Sequence, residues 1–168
     1  MRAAVVTGTE KCFAAGADLA EVSALTAVEA LRFAEMGQSV MRAIEHARKP
    51  VIAAIRGYCL GGGLDLALAC HVRVASSDAV FAHPGAALGI LTGWGGTQRL
   101  PRSLGHGGRA QALEMLTTGE KFTAEEVYRW GLLSKVVAPD RVLPVAMFLA
   151  RGGDIADGFD RFQPARQR

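Results

Sequence analysis

The stretch Gly57–Cys70, GYCLGGGLDLALAC, constrains this chain more than any other. The apolar run Val51-Ile52-Ala53-Ala54-Ile55 leads into it. Three successive glycines, Gly61, Gly62 and Gly63, then precede the apolar segment Leu64–Ala69, which carries one carboxylate, Asp65. That order predicts a strand, a glycine turn and a helix N-terminus. The start of a helix leaves backbone N–H groups without intrahelical acceptors and carries partial positive charge. Glycines at such a start let a substrate come up against the backbone, and the place suits an oxygen that gains negative charge during a reaction. Asp65, one turn in, can face the same pocket. Phosphate loops are excluded. A Walker-type loop needs Lys-Ser/Thr after its last glycine, where Leu64-Asp65 stand. A dinucleotide fingerprint begun at Gly61 needs glycine at its sixth position, where Leu66 stands. Taken alone, the loop is equally compatible with tight packing of a turn against a neighbour.

Composition sets the class around this stretch. A chain of 168 residues predicts one domain with a real core. Half of it is hydrophobic and 20 residues are glycine, which is globular and loop-rich. The formal net charge of +3 comes partly from Arg161, Arg166 and Arg168 near the end, so no nucleic-acid surface follows from it. Cys12, Cys59 and Cys70 lack C-x-x-C spacing. The apolar surroundings of Cys59 and Cys70 predict buried free thiols and hence a reducing compartment. Met1-Arg2 run into the strand-like Ala3–Val6 without a signal-peptide pattern, and no apolar run approaches the roughly 18 residues that span a bilayer. A soluble, cytoplasmic protein without membrane association is the expectation.

Along the chain, Ala3–Thr7 reads as a buried strand ending at Gly8, and Phe13–Leu19, FAAGADL, as a small-residue turn. Thr26–Arg48 reads as a long helix with Phe33, Met36, Val40 and Ile44 on one face, stopped before Pro50. Val51–Ile55 and Val72–Ala75 are strands on either side of the central loop and its helix, an order that fits parallel α/β pieces. Phe81–Leu100 is a long irregular glycine-rich segment, a kind that is usually functional. Gly107–Thr117 reads as a helix with Ala110, Leu113 and Leu116 inward. Thr123 and Glu126 form a capping box for a short helix ending at Gly131. A strand at Lys135–Val137, a break at Pro139 and a helix at Val142–Ala150 complete the pattern, and Arg151 to Arg168 has the character of an irregular tail. His46, His71, His83 and His106 show no metal-ligand spacing, so no metal is expected. His83, before Pro84-Gly85 in the glycine-rich segment, is open to two readings: a pocket acid/base or a packed imidazole.

Four stretches taken together resemble the crotonase superfamily (enoyl-CoA hydratase/isomerase): FAAGADL at Phe13–Leu19, PVIAAIRGYCLGGGLDLALAC at Pro50–Cys70, GWGGTQRLPR at Gly93–Arg102, and TGEKFTAEEVYRWGLLSKVV at Thr118–Val137. The resemblance covers roughly Ala3 to Ala150. It implies an α/β fold, a spiral of stacked β-β-α units that assembles into trimers or hexamers. It also implies binding of an acyl-CoA thioester, with coenzyme A entering as part of the substrate and no separate cofactor. By position, the backbone N–H groups of Ala17 and Gly62 become the oxyanion hole for a thioester enolate. Ala15, Asp18 and Leu19 fall beside the adenine end of CoA, and Gly61 and Gly85 beside the substrate. The implied activity is of the enoyl-CoA hydratase/isomerase type, in fatty acid β-oxidation or related acyl-CoA metabolism. A double-bond isomerase or other enolate chemistry, and a non-catalytic acyl-CoA-binding subunit or degenerate fragment, are the alternatives.

The sequence also departs from that pattern. A hydratase of the family uses two glutamates, consistent with the logic of paired carboxylates. The first falls on Asp65, one methylene shorter, and the second on Gly85, which has no side chain. Gly93, where isomerases of the family place an aspartate, offers none either. Asp65 also has a structural reading, since a carboxylate in the first turn of a helix is stabilised by the dipole by about 0.3–1 kcal/mol. His71, where the family often has an aspartate, reads as structural. Members of the family usually begin earlier and continue well past Ala150. The expectation is therefore an incomplete spiral, lacking N-terminal strands and most of the C-terminal helical region, with residues 1–150 as core and 151–168 as tail.

Overall fold

A computed structural model of the chain describes residues 3–105 and 107–154. His106, Arg161, Arg166 and Arg168 lie outside them, as does most of the expected tail.

The chain winds in successive turns, each laying one strand in each of two sheets before a helix. The first turn supplies β1 (Ala4–Thr7), β2 (Cys12–Ala14), α1 (Leu19–Ala24) and α2 (Ala27–Glu45). The second supplies β3 (Val51–Ile55), β4 (Tyr58–Leu60) and α3 (Gly62–Ala69). The third supplies β5 (Val72–Ser76), β6 (Val80–Ala82), a 3-10 turn at Pro84–Leu88, α4 (Gly96–Ser103) and α5 (Arg109–Thr118). After it come β7 (Phe122–Thr123), α6 (Ala124–Arg129), β8 (Lys135–Val137) and α7 (Val142–Ala150). One sheet has the order β1-β3-β5-β8 and is parallel throughout, with Ala4 opposite Val51, Ile52 opposite Val72 and Val74 opposite Lys135. The other has the order β2-β4-β6-β7, parallel except for the last pair.

The unbroken apolar run of β3 has a direct cause. All five of its residues are buried, because side chains alternate between two cores. Val51, Ala53 and Ile55 face the main core with Phe13, Leu64, Phe81, Leu100 and Met115, while Ile52 and Ala54 pack with Val142, Val145 and Ala146 of α7. Polar residues would have no water to face on either side. Cys59 and Cys70 are buried free thiols, and His71 accepts the Val51 N–H at Nδ1 over 3.0 Å, a structural contact.

The structure corrects several expectations. The β-β-α units implied by the resemblance supply the second sheet, but the reading along the chain placed none of its strands, because strands of two or three residues are too short to show a period. β1 is half-buried rather than buried. The inner face of α2 is also different. Gly37 and Met41 are buried, whereas Met36 is 58% and Val40 49% exposed. The Trp94 indole lies against Gly37 so closely that a Cβ there would collide with it. The helix thus docks through its smallest residue, which carries no hydrophobic signal. In α5 the buried residues are Ala112 and Met115, and Leu113 points outward at 61% exposure. The long segment Phe81–Leu100 is not irregular throughout: it holds β6, the 3-10 turn and the start of α4. Two capping boxes close helix starts, the expected one at Thr123–Glu126 and an unforeseen one at Thr26–Glu29.

Candidate active site

Two turns meet at the N-terminus of α3. Gly61 enters the helix at φ +52° and Gly16 turns at φ +94°, both in the left-handed region that favours glycine. A Cβ on Gly16 would lie 2.8 Å from the Gly62 nitrogen, and one on Gly62 would lie 2.5 Å from the Trp94 ring. Only glycine allows this approach. The N–H groups of Ala17 and Gly62 meet no backbone acceptor among the described residues, and Gly62 is the first residue of α3, where none is available within the helix.

A cavity of about 380 Å³ opens at this junction, within the range of small-molecule sites. Ala15, Ala17 and Leu19 line one side, Gly61, Gly62 and Asp65 the floor, and His83, Pro84 and Gly85 another side. Apolar groups of α1 and α2, among them Val22, Leu25 and Phe33, complete it with Trp94. Of the residues expected to bind substrate, form the oxyanion hole or act as base, Asp18 alone is not in the lining. Its carboxylate accepts from the Ala20 and Glu21 N–H groups and caps α1.

Asp65 is 1% exposed. Its Oδ2 accepts a short hydrogen bond from the Thr92 hydroxyl. Burial pushes its carboxyl up to about 6, against the opposing pull of Thr92, Arg99 and the Gly96 and Trp94 amides. His83 is 4% exposed, and burial pushes its imidazole down to about 4. Its Nε2 stands 3.7 Å from Asp65 Oδ1, beyond hydrogen-bond length. Above pH 6 an ionised Asp65 therefore faces a neutral imidazole. The loop that carries Thr92 and Trp94 is strapped to α2: Gln38 donates to the Gly93 carbonyl over 2.9 Å, and Arg99 donates to the Trp94 carbonyl over 3.0 Å while pairing with Glu45 at 2.8 Å.

These two shifts act on stability with opposite sign. Between about pH 4 and 6 the folded state keeps the Asp65 proton that the unfolded chain has lost, so stability falls as pH rises. Over nearly the same window the unfolded chain binds a proton that buried His83 refuses, so stability rises. Each slope is about 1 kcal/mol per pH unit. Asp65→Asn is expected to make stability climb more steeply from pH 4 to 6, and His83→Gln to make it climb less, read from urea midpoints at the two pH values. Equal slopes in both variants and the parent would contradict the assignment.

Position 85 is also accounted for. The Gly85 carbonyl accepts from the Ile90 N–H over 2.8 Å, and a Cβ on Gly85 would lie 2.7 Å from the Ile90 carbonyl oxygen. The loop is closed too tightly there to accept a side chain without shifting.

The sequence model for enoyl-CoA hydratase/isomerase matches residues 1–152. The chain belongs to the enoyl-CoA hydratase/isomerase family. It is 48% identical over 141 residues to the crotonyl-CoA hydratase of Syntrophomonas wolfei, covering 83% of this chain and 53% of that protein. It is 42% identical over 149 residues to the short-chain-enoyl-CoA hydratase of Clostridium acetobutylicum, covering 88% and 56%. The crystal structure of enoyl-CoA hydratase from Bacillus anthracis superposes with a TM-score of 0.83 at 38% identity, over 92% of this chain and 58% of that one. DspI of Pseudomonas aeruginosa gives 0.85 at 39%, over 93% and 58%. The α/β spiral is thus the crotonase-like fold, and the chain spans about half the length of the curated relatives it matches. Within this family member, sequence reasoning missed Thr92 and Trp94. Trp94 stands in the GWGGTQRLPR stretch but was given no role there, Thr92 lies just before it, and only the folded path of the loop brings them over α3.

Proposed function

We propose that this chain carries the catalytic face of an enoyl-CoA hydratase. The N–H groups of Ala17 and Gly62 would donate to the thioester oxygen of an acyl-CoA as it becomes an enolate, and Asp65 would act as the base. The observation that carries this reading is the contact of the Gly16 and Gly62 turns at the end of a helix, beside a buried carboxylate in an apolar cavity. A donor of this kind contributes on the order of 3 kcal/mol to lowering the barrier, and a buried carboxyl near 6 suits proton exchange at neutral pH. Ala15 and Leu19 would lie along the CoA moiety, and Gly61 and Gly85 beside the acyl portion. The same geometry serves a double-bond shift. Exposed apolar side chains, including Leu19, Val28, Leu31 and Leu91, favour assembly with further copies. The bare Gly85 favours a second reading, an acyl-CoA-binding subunit without turnover. Crotonyl-CoA separates the two: loss of the conjugated enoyl-thioester absorbance, abolished by Asp65→Ala, supports the hydratase, while calorimetric binding without turnover supports the second reading.

A further inference from the structure

We infer that the polar groove between α2 and α4 is a second binding site, one that takes a small phosphorylated molecule. It is separate from the cavity described above and does not rest on the hydratase reading. The groove measures about 730 Å³, and its charged lining is Arg42, Glu45 and His46 at the end of α2 with Arg99 and Arg102 of α4. None of Ala17, Gly62 and Asp65 lines it. Thr92, Gly93 and Trp94 line both the groove and the cavity, and so form the wall between them. Helical spacing produces this lining. Arg42, Glu45 and His46 stand at i, i+3 and i+4, and Arg99 and Arg102 at i and i+3, so each set shares one helix face.

Charge decides what the groove can hold. Three guanidinium groups line it with one carboxylate, Glu45. Arg99 is engaged with that carboxylate, two of its nitrogens donating to one Glu45 oxygen at 3.2 and 2.8 Å. This hydrogen bond chiefly, with the charges of Arg99, His46 and Arg102 and against burial, holds Glu45 below the usual carboxylate range, so the cations converge on one point. Arg102 spends Nη1 on the Gln98 carbonyl and side chain, which fixes its direction, and its other nitrogens have no partner among the described residues. The Arg42 guanidinium makes no hydrogen bond or ion pair among them either. Two cationic groups are thus uncommitted in a concave site, where walls of low dielectric focus their field. The last turns of α2 and α4 oppose them with a partial charge of about half a unit per helix, less than the surplus of two guanidinium groups over the carboxylate. Arginine matches phosphoryl oxygens with paired N–H donors. The groove is also larger than a lone ion needs and lies within the range of small-molecule sites. A phosphoryl group between Arg42 and Arg102, beside His46, neutralises the surplus.

Titration calorimetry of the whole chain with inorganic phosphate, sodium pyrophosphate and ADP, at one ionic strength held with sodium chloride, tests the site. Saturable heat is expected from at least one of the three. Arg42→Gln, an exposed change that breaks no side-chain contact, is expected to weaken binding by at least about tenfold. Glu45→Gln removes the groove's own anion and frees Arg99, and is expected to tighten binding about fivefold. A double variant with Arg129→Gln and Arg141→Gln removes charge from α6 and from the turn before α7, outside the groove, and is expected to bind as the parent does. ADP binding more tightly than pyrophosphate supports the site with a nucleotide as its ligand, and equal affinity supports it with the phosphoryl group alone recognised. No saturable heat from any of the three overturns the site. So does a loss in the Arg129 and Arg141 variant as large as in Arg42→Gln, or weaker binding by Glu45→Gln. Crotonyl-CoA enters none of these measurements, so the site can fail while the hydratase reading stands, and the reverse.

Discussion

Replacing Asp65 by Asn is expected to remove about 99.9% of crotonyl-CoA hydration, a loss near a thousandfold, and at the same time to make the protein harder to unfold. The first effect follows from the proposed role of this carboxylate as the base. The second follows from burial. The Asp65 carboxyl titrates at about 6 in the folded protein, above its ordinary 3.8. Proton binding is then tighter folded than unfolded, so stability is lost as pH rises through that window, and at pH 7 the full cost is present. Two pH units correspond to roughly 3 kcal/mol. An amide of nearly the same shape can still accept from Thr92 and carries no charge to desolvate. Urea denaturation at pH 7 is expected to show a higher midpoint for Asp65→Asn than for the parent, and the gain is expected to shrink toward pH 4. A variant that hydrates at the parent rate would remove Asp65 from the proposed chemistry, and one that is less stable at pH 7 would contradict the burial cost. Functional groups held against the preference of the fold commonly show this opposition between activity and stability.

The second large effect is expected at Gly16, outside the cavity floor. Gly16→Ala places a methyl 2.8 Å from the Gly62 nitrogen and 3.3 Å from the Leu60 carbonyl oxygen, at a φ of +94°. A non-glycine residue there is strained by on the order of 1–3 kcal/mol, and the methyl drives the two turns apart. If the Ala17 and Gly62 N–H groups grip one oxygen, a small separation weakens both bonds. Loss of one such donor lowers kcat by about a hundred- to a thousandfold. The expected signature is a fall in kcat for crotonyl-CoA with an acid limb still set by Asp65. An unchanged kcat, with only a lowered unfolding midpoint, would show that the contact serves packing alone.

What could be read from the residues divides by physical range. β3 was legible because burial on both faces leaves no polar residue in it, and α3 because glycines and an apolar run mark its start. The capping box at Thr123–Glu126 is a local signature and was legible as such. The strands of the second sheet were not. Cys12–Ala14, Tyr58–Leu60 and Val80–Ala82 are held by their neighbours in space, and each is too short to carry a pattern of its own. The inner faces of α2 and α5 were misread for a related reason. In α2 the decisive contact is between Gly37 and an indole that arrives from a distant loop. At the site, the resemblance named Asp65, Ala17 and Gly62, but the closeness of His83 to Asp65 depends on α3 and the end of β6 lying side by side, which no spacing along the chain encodes.

Trp94 gives this arrangement an optical consequence. Its indole rests against Gly62 at one edge and against Gly37 and Phe33 at others, and it lines the cavity. The second indole, Trp130, stacks edge-on to Phe122 on a different part of the fold and does not line that cavity. With only two tryptophans in the chain, a Trp130→Phe protein would emit from the cavity wall alone, and a thioester arriving over Gly62 would change the colour or brightness of that emission. Ligand arrival could then be followed in a stopped-flow cell without a label and before any bond is made.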